Sequence, residues 1–369
     1  MSPPPVLLPP LEVAPRADRV RAAATEQGCD ALVVTDLTNV RYLTGFTGSA
    51  GVLVVRADDL VLLTDGRYQE QAAEQLAAAG VEAELVITRD VPERLADVVS
   101  GIDRVGLEAD HVTWDTQRRW AEALAPELVP TTSLVLDLRA VKDDGEVARL
   151  EQAAAIADEA LAAVRHLLTE RPTERELARA LESAMLDRGA QGPSFETIVA
   201  SGPNGAKPHA RPTDRVIGGD GEPELVVLDF GALYDGYHSD MTRTLVVGEP
   251  TPTQQRMLDV VASAQAAGVD AVRAGVRCVA VDQACREVIG DAGWADAFVH
   301  GTGHGIGLVI HEEPRLSPES ASLLAPGQCV TVEPGVYLPG HGGVRIEDSV
   351  VVTATGCRPL TLSPKDPTP

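Results

Sequence analysis

Asp229 and Asp240 stand in an otherwise apolar, β-rich stretch, ELVVLDFGALYDGYHSDMTRTLVV, running from Glu224 to Val247. The dipeptide Asp235-Gly236 in its middle favours a two-residue type I′ hairpin turn. Such a turn pairs Asp229 with Thr242 and leaves Asp240 two residues from that partner. Strand side chains alternate faces, so both carboxylates project from one face as diagonal neighbours. Two anions side by side on an apolar hairpin repel each other, and a cation between them removes the repulsion. Oxygen donors of this kind suit a divalent metal. The stretch alone also fits an exposed acidic hairpin, so the metal reading needs further ligands elsewhere.

Those ligands are present. The limbs CysValThrValGluProGlyValTyr and ValArgIleGluAspSerValValVal, joined through Pro339 to Gly343, predict a second hairpin over Gln328–Thr353. It carries Glu333 and Glu347, one on each limb. An acid in a buried strand is costly without a partner or a metal. Between the hairpins, residues 300–311 read HGTGHGIGLVIH and hold three of the chain's 8 His. Small residues around His304 let the backbone approach a ligand or another strand closely. Four carboxylates and one imidazole match a pair of divalent ions, which bridging carboxylates hold about 3.5–4 Å apart. The mixed O/N set suits Mn²⁺, Co²⁺, Fe²⁺ or Zn²⁺. Competing motifs fail. Asp229-Phe230-Gly231 lacks the rest of a kinase signature. Ile306 stands where G-x-G-x-x-G needs glycine, and Arg315 where H-E-x-x-H needs histidine.

The elements that position these residues repeat. Helices over 146–168 and 174–188 lead into the first hairpin; helices near 254–273 and 279–290 lead into the second. In the first helix Val147, Leu150, Ala154, Ala157, Leu161, Val164 and Leu168 form one apolar stripe. The repeat predicts a pseudo-twofold axis, a curved antiparallel sheet and helices on its outer side. Upstream, strands expected at 31–35, 51–55, 60–64, 83–88 and 104–108 interleave with helices at 17–27, 67–79, 92–99 and 113–124. That alternation indicates an α/β domain. Gly45–Gly51 is Gly-rich but lacks phosphate-loop spacing and reads as a turn between strands. The charged segment 139–145 is the expected linker, and residues 1–15 a flexible Pro-rich arm.

The 369 residues carry a formal charge of −24 and are 44% hydrophobic, with a pI near 4.6. Such a chain repels nucleic acid and anionic membranes, which excludes those partners. The 5 Cys are scattered without C-x-x-C, so neither a disulfide framework nor a zinc knuckle is expected. No apolar run is long enough to span a bilayer, and the start lacks a signal's basic and apolar regions. A cytoplasmic location follows as the expectation.

The segments LDFGALYDGYHSDMTRT, GTGHGIG, TVEPGVY and GGVRIED resemble the signatures of the pita-bread metallopeptidases, and more closely the Xaa-Pro peptidases, aminopeptidase P and prolidase. NVRYLTGFTG at 39–48 is similar to the creatinase/prolidase N-terminal domain. The resemblance implies such a domain at 16–138 and a pita-bread catalytic domain of α+β type at 146–364. It implies two divalent ions, Mn(II) first, with Co(II), Fe(II) or Zn(II) possible. It implies that Asp229 binds one ion, His304 and Glu333 the other, and that Asp240 and Glu347 bridge. His209, His300 and His311 match the substrate-side and oxyanion histidines, and Glu333 the proton acceptor. Arg315 matches an Arg that clamps the dipeptide carboxylate in some prolidases, with a surface salt bridge as its plain alternative. Arg345, inside the last motif, is assigned to substrate binding. The implied reaction is cleavage of the bond between an N-terminal residue and proline, on peptides as in aminopeptidase P or on dipeptides as in prolidase. A homodimer is implied too. A metal-free binding module and a creatinase-like C–N hydrolase are the alternatives; relatives of the first kind have lost ligands, whereas all five positions are filled here.

Overall fold

The computed structural model describes residues 7–369; residues 1–6 of the expected arm lie outside them. The described residues divide into two compact units, one of Pro10–Arg139 and one of Ala140–Pro369 together with residues 7–9.

In the first unit, six strands form one sheet in the order Glu84–Ile87, Leu60–Thr64, Val52–Val55, Ala31–Val34, Arg104–Glu108, Glu127–Thr131. Val52–Val55 is antiparallel to both neighbours, and the other pairs are parallel. Val33, Val54, Val61, Leu63 and Val105 share a core with Leu95 and Trp120 from the covering helices. Three elements exceed the sequence expectation: helices Leu37–Thr44 and Leu134–Ala140, and the strand Glu127–Thr131. Pro130 hides that strand, and it is tolerated because the strand forms the sheet edge. Helix Leu37–Thr44 is capped by Asp36, which accepts from Thr38 N, and stopped by Gly45 at φ 75°. Gly45–Gly51 therefore leads from a helix into a strand, not from strand to strand.

The second unit repeats one pattern, helix–helix–strand–hairpin. Helices Asp144–Val164 and Glu174–Asp187 precede strand Ile198–Ser201 and the first hairpin. Helices Pro252–Ala271 and Cys278–Asp291 precede strand Gly303–Gly305 and the second. In each half the single strand pairs antiparallel with the first limb of its hairpin. The long first helix starts at Asp144 because Asp143 and Glu146 close a capping box. Of the segment 139–145, expected as a linker, residues 141–143 join two helices that take up the rest. Ile156, Leu161, Leu181 and Met185 pack on Val226, Leu228, Phe230 and Leu245. In the other half Met257, Val261, Val281 and Ile289 pack on Val330, Val332, Val350 and Val352. Each such side chain, fully buried, contributes about 1.5–3 kcal/mol. Because Leu228 and Phe230 face the helices, alternation turns Asp229 to the opposite face.

The registers deliver the ligands. Asp229 pairs with Thr242, as the turn predicted. Asp235 and Gly236 adopt φ 44° and 75°, the left-handed pair of a type I′ turn. A Cβ on Gly231 would lie 1.8 Å from Ser239 O, so only glycine lets the limbs close there. In the second hairpin Val332 pairs with Asp348, and Gly335 with Arg345. That constant register sets Glu333 opposite Glu347. Glu347 N donates to Thr242 O at 3.1 Å, which joins the two hairpins. No helix among the described residues is long and apolar enough to cross a membrane.

Candidate metal centre and its cavity

The two hairpins and strand Gly303–Gly305 form the floor of a cavity of about 520 Å³. Asp229, Asp240, His304, Glu333 and Glu347 all line it, with His209, His300, His311, Arg315 and Arg345 around them. One carboxylate oxygen from each of Asp229, Asp240 and Glu347 lies within 4.8 Å of the others. His304 Nε2 lies 3.5 Å from Asp240 Oδ2 and 3.4 Å from Glu333 Oε1. Two atoms bound to one ion at about 2.1 Å stand roughly 3–3.4 Å apart, so these spacings are those of ligands sharing an ion.

His304 reaches this position because glycines flank it. A Cβ on Gly303 would meet Thr331 O at 2.0 Å, and one on Gly305 would meet Glu313 O at 2.2 Å. Close approach to neighbouring strands is thus the use of the small residues. His304 Nδ1 donates to Gly305 O at 3.0 Å. Burial pushes the imidazole down to about 3, so it is neutral. Nε2 then carries a bare lone pair aimed at two carboxylates.

The carboxylates are as crowded as the register implies. Burial raises Asp240 well above the usual carboxylate range, and the charges of Glu347 and Asp229 add to it. Glu347 is raised for the same first reason, with Glu333 and Asp229 adding. Burial lifts Glu333 to about 7 against the opposing charge of Arg345. Glu347 Oε2 accepts from Thr242 Oγ1 at 2.7 Å, while its buried Oε1 has no hydrogen-bond partner. An orphaned carboxylate oxygen, an imidazole lone pair and mutually repelling acids converge on one place. That donor set fits divalent cations.

The substrate-side expectations divide. His209 is exposed on the segment 202–212, and His311 is exposed at the rim with its ring 4.4 Å from that of His304. Burial, then the nearby Arg315 charge, lowers the His311 imidazole. His300 has both nitrogens engaged within the protein: Nδ1 with Gly301 O at 2.8 Å and Nε2 with Tyr337 Oη at 2.9 Å. Burial drives it down to about 4. Arg315 is exposed and makes no ion pair among the described residues; its backbone N–H donates to Glu313. The surface salt bridge that was its plain alternative is therefore absent among them.

Arg345, expected to bind substrate, lines the cavity with its guanidinium already bonded within the protein. It is only 3% exposed. Nη2 donates to Asp229 Oδ2 at 2.5 Å, Nε to Thr242 Oγ1 at 3.0 Å, and Nη1 to Tyr337 Oη at 2.7 Å and Pro208 O at 3.2 Å. These bonds make it the support that orients Asp229. Sequence reasoning missed Tyr337 and Thr242. Thr242 was legible, since the hairpin register already placed it across from Asp229; nothing in the sequence aimed the Tyr337 hydroxyl. It also missed the buried pair Lys142–Glu312, 2.8 Å apart beside His311.

Residues 148–354 match the profile of Metallopeptidase family M24, and residues 16–141 that of the Creatinase/Prolidase N-terminal domain. The chain is 42% identical to an uncharacterized peptidase of Bacillus subtilis (strain 168), over 95% of this chain and 99% of that one. Among solved structures it resembles an Xaa-Pro dipeptidase from Bacillus anthracis, with TM-score 0.90 and 40% identity, covering 96% of this chain and 98% of that one. An X-Pro aminopeptidase from Thermotoga maritima MSB8 superposes with TM-score 0.85 at 33% identity, covering 93% and 99%.

Proposed function

Because the chain belongs to metallopeptidase family M24 and carries a creatinase/prolidase-type N-terminal domain, we propose that it is a metal-dependent exopeptidase cutting between an N-terminal residue and proline. The observation that carries this reading is the meeting of Asp229, Asp240, His304, Glu333 and Glu347 on one cavity floor, with Glu347 Oε1 left unbonded. In this reading Asp229 serves one ion, His304 and Glu333 a second, and Asp240 and Glu347 both. Mn(II) is the first choice, and Co(II), Fe(II) or Zn(II) suit the same donors. Bound there, the ions supply a water acidic enough to deprotonate near neutral pH and a polarised scissile carbonyl.

The side chains do the rest. Glu333 accepts the water proton at a carboxylate oxygen and delivers it to the departing proline nitrogen. That nitrogen is a secondary amine once released and carries no N–H while bound in the peptide, so the cavity must accept a ring instead of a donor. His311 donates from its ring to the carbonyl oxygen as negative charge grows there. His209 orients the substrate from the rim. His300, tied through Tyr337 to Arg345, presents a fixed ring wall. A homodimer belongs to the same reading and is checked by sedimentation.

A second reading within this one, restriction to dipeptides, is favoured by Arg315, whose exposed side chain faces the cavity without an ion-pair partner among the described residues. A fixed cation there would clamp the proline carboxylate. The names of the relatives above include both subclasses. Xaa-Pro and Xaa-Pro-Xaa-Xaa are to be compared as substrates of the protein and of Arg315→Ala. Loss confined to the dipeptide supports the clamp, and equal loss on both sinks it. Absence of cleavage before proline on either substrate, with metal bound, overturns the main proposal.

A further inference from the structure

Glu174 has no part in the chemistry above, yet its residue exposure is 0%. It opens helix Glu174–Asp187. Its Oε1 accepts from Ser201 N at 2.7 Å, Ser201 Oγ at 2.8 Å and Asn204 Nδ2 at 3.1 Å. Its Oε2 accepts from Asn204 Nδ2 at 3.0 Å, Thr213 N at 3.0 Å and Thr213 Oγ1 at 2.6 Å. A carboxylate removed from water is tolerated when donors surround it in this way. Folding of the helix end alone does not call for this pattern. Thr173 already caps that helix, accepting from Glu176 N in a complete capping box.

The geometry of the donors matters more than their number. Ser201 and Thr213 bracket the segment 202–212, which carries His209 to the cavity. One side chain thus fastens both ends of that segment. Its middle is held from the other side. A Cβ on Gly343 would meet Gly205 O at 1.9 Å, so the segment lies directly on the second hairpin. Pro208 O accepts from Arg345 Nη1 at 3.2 Å. Ala210 N donates to Lys207 O at 3.1 Å, closing a turn around His209. A loop with tied ends has lost most of its freedom before substrate arrives. Ordering it then costs little at binding, and its side chain meets substrate in a preset place.

We propose that Glu174 is a positioning residue for His209: it staples both ends of the 202–212 segment and so fixes where the imidazole meets the substrate. This rests on the Xaa-Pro peptidase reading. It adds to that reading a residue remote in sequence from every signature motif.

The test is a double-mutant cycle on the metal-loaded, full-length protein, read together with amide hydrogen exchange. His209→Ala is expected to lower kcat/KM about 100-fold, within the range for a positioned catalytic side chain. Glu174→Gln puts an amide NH₂ against donors and is expected to cost about 10–100-fold, as misplacement by about 1 Å does. The double variant should be no slower than His209→Ala alone. Amides of 202–212 should exchange faster in Glu174→Gln, while metal content stays that of the parent protein. Losses that multiply in the double variant, or unchanged exchange across 202–212, overturn the proposal. If Glu174→Gln does not accumulate as folded protein, Ser201→Ala and Thr213→Val each remove one donor and run the same cycle. A parent protein that does not cleave before proline refutes the functional reading instead, and the exchange measurement still tests the staple.

Discussion

Replacing Lys142 by Met isolates the energetics of the buried pair behind the His304–His311 turn. Lys142 Nζ and Glu312 Oε2 are 2.8 Å apart, with side chains 1% and 4% exposed. At that distance the attraction is about 6 kcal/mol for an effective dielectric constant of 20. Desolvation of each ion costs several kcal/mol, so the intact pair adds little net stability. Removing one partner is different, because it strands a charge. Glu312 also accepts from Val309 N and packs where a Cβ on Gly307 would come within 2.5 Å of Oε2, so it cannot swing out to water. The expected loss for Lys142→Met is about 3–5 kcal/mol. Lys142→Met/Glu312→Leu should recover most of it, since no charge is left unpaired. Of the 3 Trp, Trp294 alone belongs to the second unit. Its emission in a Trp114→Phe/Trp120→Phe background follows urea unfolding of that unit. A loss under about 1 kcal/mol, or a double variant as unstable as the single one, refutes the stranded-charge argument.

Other expectations are independent of that pair. Gly231→Ala should cost more than about 3 kcal/mol, because its Cβ would fall 1.8 Å from a backbone oxygen that cannot move without opening the hairpin; a melting temperature within a few degrees of the parent's contradicts this. Burial raises all five thiols, those of Cys285 and Cys329 to about 12, and of the five Cys357 alone is not fully buried. A disulfide reagent at pH 8 should therefore label about one thiol in the native protein, with all 5 reacting after denaturation. Asp240→Ala should abolish turnover while the circular dichroism spectrum keeps its native form; near-normal turnover would remove Asp240 from the bridging position.

Much of this site could be read from the sequence because hairpins convert spacing into geometry. Asp235-Gly236 set the register, the register set the shared face of Asp229 and Asp240, and the structure keeps both. Glu333 and Glu347 were found as acids in apolar runs, but their direct opposition needed the observed pairing. What escaped depends on long side chains crossing between distant segments. Arg345 stands in a signature motif and lines the cavity, but its bonds to Asp229 and Thr242 could not be read from spacing. Lys142 lay in a stretch read as a charged linker, and its partner is far along the chain. In the first unit, Pro130 concealed a strand that the sheet edge permits. Asp36 and Gly45 bracketed a short helix whose caps were readable but whose apolar period was too brief to stand out.

In the proposed function, peptidase activity depends on metal held by the five-residue cavity floor. Exhaustive chelation, elemental analysis and stepwise return of Mn(II) test it directly on an Xaa-Pro dipeptide. Metal-free protein should show no turnover, and activity should rise in step with bound metal, up to a second equivalent per chain. Turnover that persists when elemental analysis finds no metal would contradict it.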